Sequence, residues 1–127
     1  MNRRRRVLIV NCFPDEREMY EEYLRYAGFD PVEACEPSEA FHTAIAVKPD
    51  VIVTDTALPR GTGDGLELIR RLRNDPRTRG IGIVVVSGYA FAQHQRQVEQ
   101  AGADVFLPKP CLPQTLVAAI EHELRAA

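Results

Sequence analysis

Three polar residues stand where three separate apolar runs stop: Asp55 after VIVT, Ser87 after IVVV and Lys109 after VFLP. If those runs are parallel strands of one sheet, the three side chains emerge at the same edge. A carboxylate is a competent nucleophile toward a phosphoryl donor and gives an acyl phosphate. The obstacle is electrostatic, because an anion must attack an anion, so the protein has to supply positive charge and hydrogen-bond donors to the equatorial oxygens. Lys109 brings a full charge and Ser87 a donor, with the backbone N–H groups of Thr56, Ala57 and Gly88 as further candidates. The first apolar run, VLIV, ends instead in Asn11 and Cys12, where a magnesium-dependent version of such a site would want carboxylates. Magnesium takes hard oxygen ligands in octahedral geometry. A thiol and a neutral amide serve it poorly, so only weak binding is expected.

The elements that must position these groups are legible as alternating patterns. Strand-length apolar runs fall at 7–10, around 32–35, and at 51–54, 81–86 and 105–107. The run at 51–54 is continuous and β-branched, as in a strand buried on both faces. Between the runs, apolar residues recur at three- and four-residue spacing. Met19, Tyr20, Tyr23, Leu24 and Ala27 precede Gly28; Ala40, Phe41, Ala44, Ile45 and Val47 follow a Ser38 N-cap and stop at Pro49. Leu66, Ile69 and Leu72 mark a helix that must end before Pro76, a weaker segment runs over 90–101 to Gly102, and 112–124 closes the series. Five βα units in strict alternation predict an α/β fold with a doubly wound, five-stranded parallel sheet of the flavodoxin-like (βα)5 kind.

The 127 residues fit one domain over 1–127, with 1–6 as a basic flank containing Arg3, Arg4, Arg5 and Arg6. Charged residues at 27% and apolar ones at 45% describe a globular protein rather than a disordered chain. A net charge of −2 gives no reason to expect direct nucleic-acid binding or an anionic membrane surface. Cys12, Cys35 and Cys111 form no CxxC pattern and suggest neither a disulfide framework nor a zinc site, which fits a cytoplasmic protein. Cys12 reads as a small buried apolar residue, set against a redox or soft-metal role. His42, His94 and His122 fall on separate helices without ligand spacing and read as surface residues.

In order, these motifs resemble those of the receiver domain of bacterial two-component response regulators from about Val7 to Leu124. They are Asp55 with Leu58-Pro59, Asp64-Gly65-Leu66 opening a helix, Ser87-Gly88, Ala101-Gly102-Ala103-Asp104 and Lys109-Pro110. The resemblance implies that Asp55 is the phosphoacceptor, Ser87 the hydroxyl that engages the phosphoryl group, Lys109 its counter-ion and Phe106 an aromatic rotamer switch. It implies a histidine kinase or histidine phosphotransfer protein as donor, and a downstream protein target reached through the fourth helix, fifth strand and fifth helix. It leaves a homodimer open. Such a domain is a signalling phosphoprotein rather than an enzyme.

The sequence departs from that family at two places. Asn11 and Cys12 occupy the positions of the acidic, magnesium-holding pair, so the resemblance implies Asp55, the backbone carbonyl of Ala57 and the phosphoryl group as the remaining ligands; Asp15 or Glu16 reaching over in compensation is set against the expected place of both in the first turn of the next helix. The RGTGDG loop, 60–65, is two residues longer than usual. The alternative function is a pseudo-receiver, a phosphorylation-independent interaction module that keeps the fold and an Asp55–Lys109 ion pair. An aspartyl hydrolase is disfavoured, since no second carboxylate stands two residues after Asp55.

Overall fold

A computed structural model describes residues 4–58, 65–88 and 92–126. Five strands, β1 (Arg6–Val10), β2 (Asp30–Ala34), β3 (Val51–Thr54), β4 (Gly82–Ser87) and β5 (Val105–Pro108), alternate with five helices. The helices are α1 (Pro14–Tyr26), α2 (Pro37–Val47), α3 (Gly65–Asn74), α4 (Ala92–Ala101) and α5 (Pro113–Ala126). All strand pairings are parallel, in the order β2-β1-β3-β4-β5. The fold is the expected flavodoxin-like doubly wound sheet.

Successive side chains of a strand point to opposite faces, and each face is covered by its own helices. Leu8, Val10, Ile52, Ile83 and Val85 pack with Ala40, Phe41 and Ala44 of α2, Leu68, Ile69 and Leu72 of α3, and Val98 of α4. Val7, Ile9, Val51, Val53, Val84 and Val86 pack with Tyr20 and Leu24 of α1 and Leu116 and Ile120 of α5. The central strands are therefore apolar on both faces between their ends, which is why they read as unbroken runs rather than as alternation. The elements differ from expectation mainly at their ends. Glu36, not Ser38, is the N-cap residue of α2, because Pro37 already supplies a fixed φ for its first turn. β2 starts at Asp30, two residues earlier than its apolar character shows. The longer loop at 60–65 lies outside the described residues except for Gly65.

The chain order reverses at β1, with β2 on one side of it and β3 on the other, so the switch point lies at the carboxyl ends of β1 and β3. Gly65 closes that corner from behind. A Cβ there would sit 2.5 Å from Thr56 Cα and 2.7 Å from the Asp55 carbonyl oxygen. Both are backbone atoms, so α3 can begin this close to the chain leaving β3 only with glycine in place. Gly65→Ala should cost about 1–3 kcal/mol by overpacking and shift the backbone resonances of Asp55 and Thr56, checked by chemical denaturation and NMR.

Candidate functional site

Hydrogen bonds continue the sheet one residue past its strands and so fix the site backbone. Asn11 N–H donates to the Ala34 carbonyl at 3.0 Å, Asp55 N–H to Val10 at 3.0 Å, and Lys109 N–H to Ser87 at 2.9 Å. Asn11, Asp55, Ser87 and Lys109 thus lie along one edge, as their strand-terminal positions imply. Asp55 is only 2% exposed and Ser87 is fully buried.

A carboxylate so buried needs partners. Asp55 Oδ1 accepts from the Ala57 N–H at 3.0 Å, and Oδ2 accepts from Lys109 Nζ at 2.5 Å. Lys109 has a second carboxylate, Glu16 Oε1, at 2.8 Å. Its ammonium also lies 5.0 Å from the centroid of the Phe13 ring, a cation–π distance. Burial by itself disfavours the Lys109 charge, but hydrogen bonds to Asp55 and Glu16, with the charges of both, outweigh it and raise its pKa above the ordinary lysine value. Glu16 belongs to the first turn of α1, as expected, and reaches the pocket from there. Its Oε1 also accepts from Asn11 Nδ2 at 2.7 Å, while Asn11 Oδ1 accepts from the Phe13 N–H at 2.7 Å. Glu16 is thus a site residue from within that first turn, where the sequence reading set the two roles against each other.

On the far side of Asp55 the hydroxyls of Thr56 and Ser87 share a hydrogen bond of 2.7 Å. The Thr56 hydroxyl is also 3.3 Å from His94 Nε2, and the His94 ring meets Phe106 edge-on at 6.3 Å between centroids. His94 is half-buried and belongs to this network, which corrects its reading as a surface residue. The correction has a simple cause: His94 shares the inward stripe of α4 with the buried Val98 and Ala101, four and seven residues on, and this stripe faces the sheet. Phe106 is half-buried and packs beside the α2–α3–α4 core.

The cysteines require a second correction. Cys12 and Cys35 are joined by a disulfide, S–S 1.98 Å, with Cα atoms 4.7 Å apart. Their separation of 23 residues carries no motif. It is the parallel pairing of β1 with β2 that brings the residues after Val10 and Ala34 side by side. Cys12 is therefore not a free buried thiol. Cys111 is free, and burial holds its thiol above the usual range.

Fold and site together define a doubly wound α/β domain with a buried acid–lysine pair at its switch point. The model for the response regulator receiver domain matches residues 7–121, and the chain belongs to that family. It is 36% identical over 119 residues to the phosphate regulon transcriptional regulatory protein PhoB of Pseudomonas aeruginosa, covering 94% of this chain and 51% of that protein. The chain thus spans about half the length of the PhoB relatives it matches. A crystal structure from Chloroflexus aurantiacus of a protein assigned as a response regulator superposes with TM-score 0.90 at 30% identity, covering 97% of this chain and 99% of that one. The receiver domain of the sensor histidine kinase PA1611 from Pseudomonas aeruginosa, solved with magnesium in its active-site cleft, shares the fold with TM-score 0.88 at 23% identity, covering 97% and 99%. Receiver domains are signalling modules of two-component systems, and this chain is one. No helix among the described residues is long and apolar enough to cross a membrane.

Removing Lys109 would leave the Asp55 carboxylate buried without its cation. Lys109→Ala should cost about 3 kcal/mol and move the NMR shifts of Ser87 and Phe106. Because the folded-state pKa of Lys109 is raised, its contribution is complete below the ordinary lysine value and is lost as pH rises through the folded one. Alkaline unfolding should therefore lose that component in Lys109→Ala, and unchanged shifts at Ser87 and Phe106 would contradict the coupling.

Proposed function

We propose that Asp55 accepts a phosphoryl group from a phosphohistidine on a histidine kinase or histidine phosphotransfer protein. The observation that carries this is the 2.5 Å contact between Lys109 Nζ and the buried Asp55 carboxylate at the switch point. One carboxylate oxygen attacks phosphorus, the P–N bond breaks, and the leaving imidazole nitrogen takes a proton from solvent, giving the acyl phosphate. Lys109 neutralises the equatorial oxygens as charge builds on them. Ser87 then exchanges its bond to Thr56 for one to the phosphoryl group, and the His94–Phe106 contact makes α4 and β5 the surface on which that change is read by a downstream protein. Phe106 is the aromatic element of this switch. Exposed Met19 and Leu112 line a groove shared with Glu16 and Lys109, and the exposed Phe13 ring lies against the Lys109 ammonium. With Pro110 and Pro113 they offer an apolar rim on which a donor protein can seat.

The family implies magnesium, and the residues present suit it poorly. Asn11 offers a neutral amide whose oxygen is already engaged by the Phe13 N–H, and the Cys12 sulfur is tied to Cys35. What remains is the Asp55 carboxylate and the Ala57 carbonyl, with Glu16 committed to Lys109 and Asn11. Such a set falls short of the hard, octahedral donor set the ion prefers, and Lys109 supplies the positive charge in its stead. The reading therefore places charge neutralisation on Lys109 and gives the metal no step.

Two outcomes test this function. Incubation with acetyl phosphate or beryllofluoride should add one phosphoryl or its analogue to the native chain by intact mass, and none to Asp55→Asn; no uptake would instead identify a phosphorylation-independent interaction module. Magnesium titration should show weak binding that strengthens at least about tenfold in Asn11→Asp/Cys12→Asp, as carboxylates replace an amide and a sulfur. Tight binding by the native chain would refute the proposed donor set.

A further inference from the structure

The disulfide occupies an unusual place for a structural cross-link. β1 and β2 are already paired from Arg6↔Asp30 to Val10↔Ala34, and the Asn11 N–H extends that ladder by one more bond. The bridge lies one residue beyond the last of these, so the sheet does not need it. What it fastens is the turn at 11–13, which leads into α1 and carries the site's amide. From there a continuous polar chain runs to the acceptor: Asn11 Nδ2 to Glu16, Glu16 to Lys109, Lys109 to Asp55. The strand order puts Cys35 on the opposite side of β1 from Asp55, so the bridge also draws Cys12 away from the carboxylate. Both cysteines are half-buried, which leaves them open to small oxidants and thiols.

We propose that Cys12 and Cys35 are a reversible redox pair whose state sets the clamp on Lys109 and, through it, the readiness of Asp55; this rests on Asp55 being the acceptor. With the bridge closed, Asn11 is pinned, Glu16 is held against Lys109, and Lys109 is shared between two carboxylates. An incoming phosphoryl group must then compete with Glu16 for the same ammonium. With the bridge open, the turn gains freedom, the Asn11–Glu16 contact loosens, and Lys109 is available to the phosphoryl oxygens.

The chemistry needs a two-electron oxidant, for which hydrogen peroxide suffices. One thiolate attacks a peroxide oxygen, the O–O bond breaks, and a sulfenic acid and one water form. The second thiolate attacks that sulfur, the S–O bond breaks, and a second water leaves. The two sulfurs together give up two electrons, and the thiol protons end in the waters. A dithiol reverses the change by thiol–disulfide exchange and is itself oxidised to a disulfide.

The test uses the native protein treated with hydrogen peroxide or with dithiothreitol, its thiol state assigned by alkylation and intact mass. Phosphorylation by phosphoramidate and the NMR shifts of Asn11, Glu16 and Lys109 are then measured in both states, with Cys111→Ser as a control for the remaining thiol. The reduced form should accept phosphate about tenfold faster, the scale of one charge-assisted hydrogen bond released, and the three shifts should move together. In Cys35→Ser the response to either treatment should vanish. Failure of peroxide to close the bridge, unchanged shifts, or an equal or slower reduced form would overturn the proposal. If neither state takes up phosphate while the shifts still move, the acceptor reading fails and the link between bridge and clamp stands.

Discussion

The buried ion pair between Asp55 and Lys109 is the constraint around which the site is arranged. A carboxylate only 2% exposed is tolerable at a sheet edge because a cation and a backbone N–H reach it. That demand explains why Lys109 directly follows β5 and why its backbone is tied to Ser87. Glu16, from the first turn of α1, shares the same ammonium with Asp55. The pair is a ready electrostatic frame for a phosphoryl group, since the ammonium that neutralises the carboxylate is the one a phosphate would recruit.

Around this pair the site divides into two arms. One runs through Glu16 and Asn11 to the β1–β2 bridge and controls how firmly Lys109 is held. The other runs through Thr56 and Ser87 to His94 and Phe106 and reaches α4 and β5. An event at Asp55 can thus be sensed in one direction and tuned from the other. The arms are joined at Asp55 and again by the hydrogen bond from the Lys109 N–H to the Ser87 carbonyl.

What the sequence made legible follows from the physics of parallel sheets. VLIV, VIVT and IVVV read as strands because both faces are buried, and the polar residue ending such a run has to lie at the sheet edge. Asp55, Ser87 and Lys109 could therefore be placed together before any coordinates. Gly65 was legible as part of a motif, but its reason, the close approach of α3 to the Thr56 backbone, is a three-dimensional one. Glu16 was harder because an acid in a first helical turn already has a sufficient explanation in the helix dipole. Cys12 and Cys35 were missed because cysteine spacing along the chain says nothing about which strands will be neighbours. The β1–β2 register, had it been applied to the residues after each strand, was the signal that could have found them. His94 was missed because a histidine on the weakly apolar α4 reads as a polar surface residue, although its four- and seven-residue spacing to the buried Val98 and Ala101 marks the inward stripe.

The central claim, that Asp55 is where phosphate is carried, is tested most directly by trapping the acyl phosphate chemically. Borohydride reduces an aspartyl phosphate to homoserine, and peptide mapping after phosphodonor treatment then locates the residue. The account predicts conversion of Asp55 to homoserine, with Asp15, Asp50 and Asp104 unchanged. Conversion at another aspartate, or none at Asp55 under conditions in which the chain gains phosphate, would contradict it.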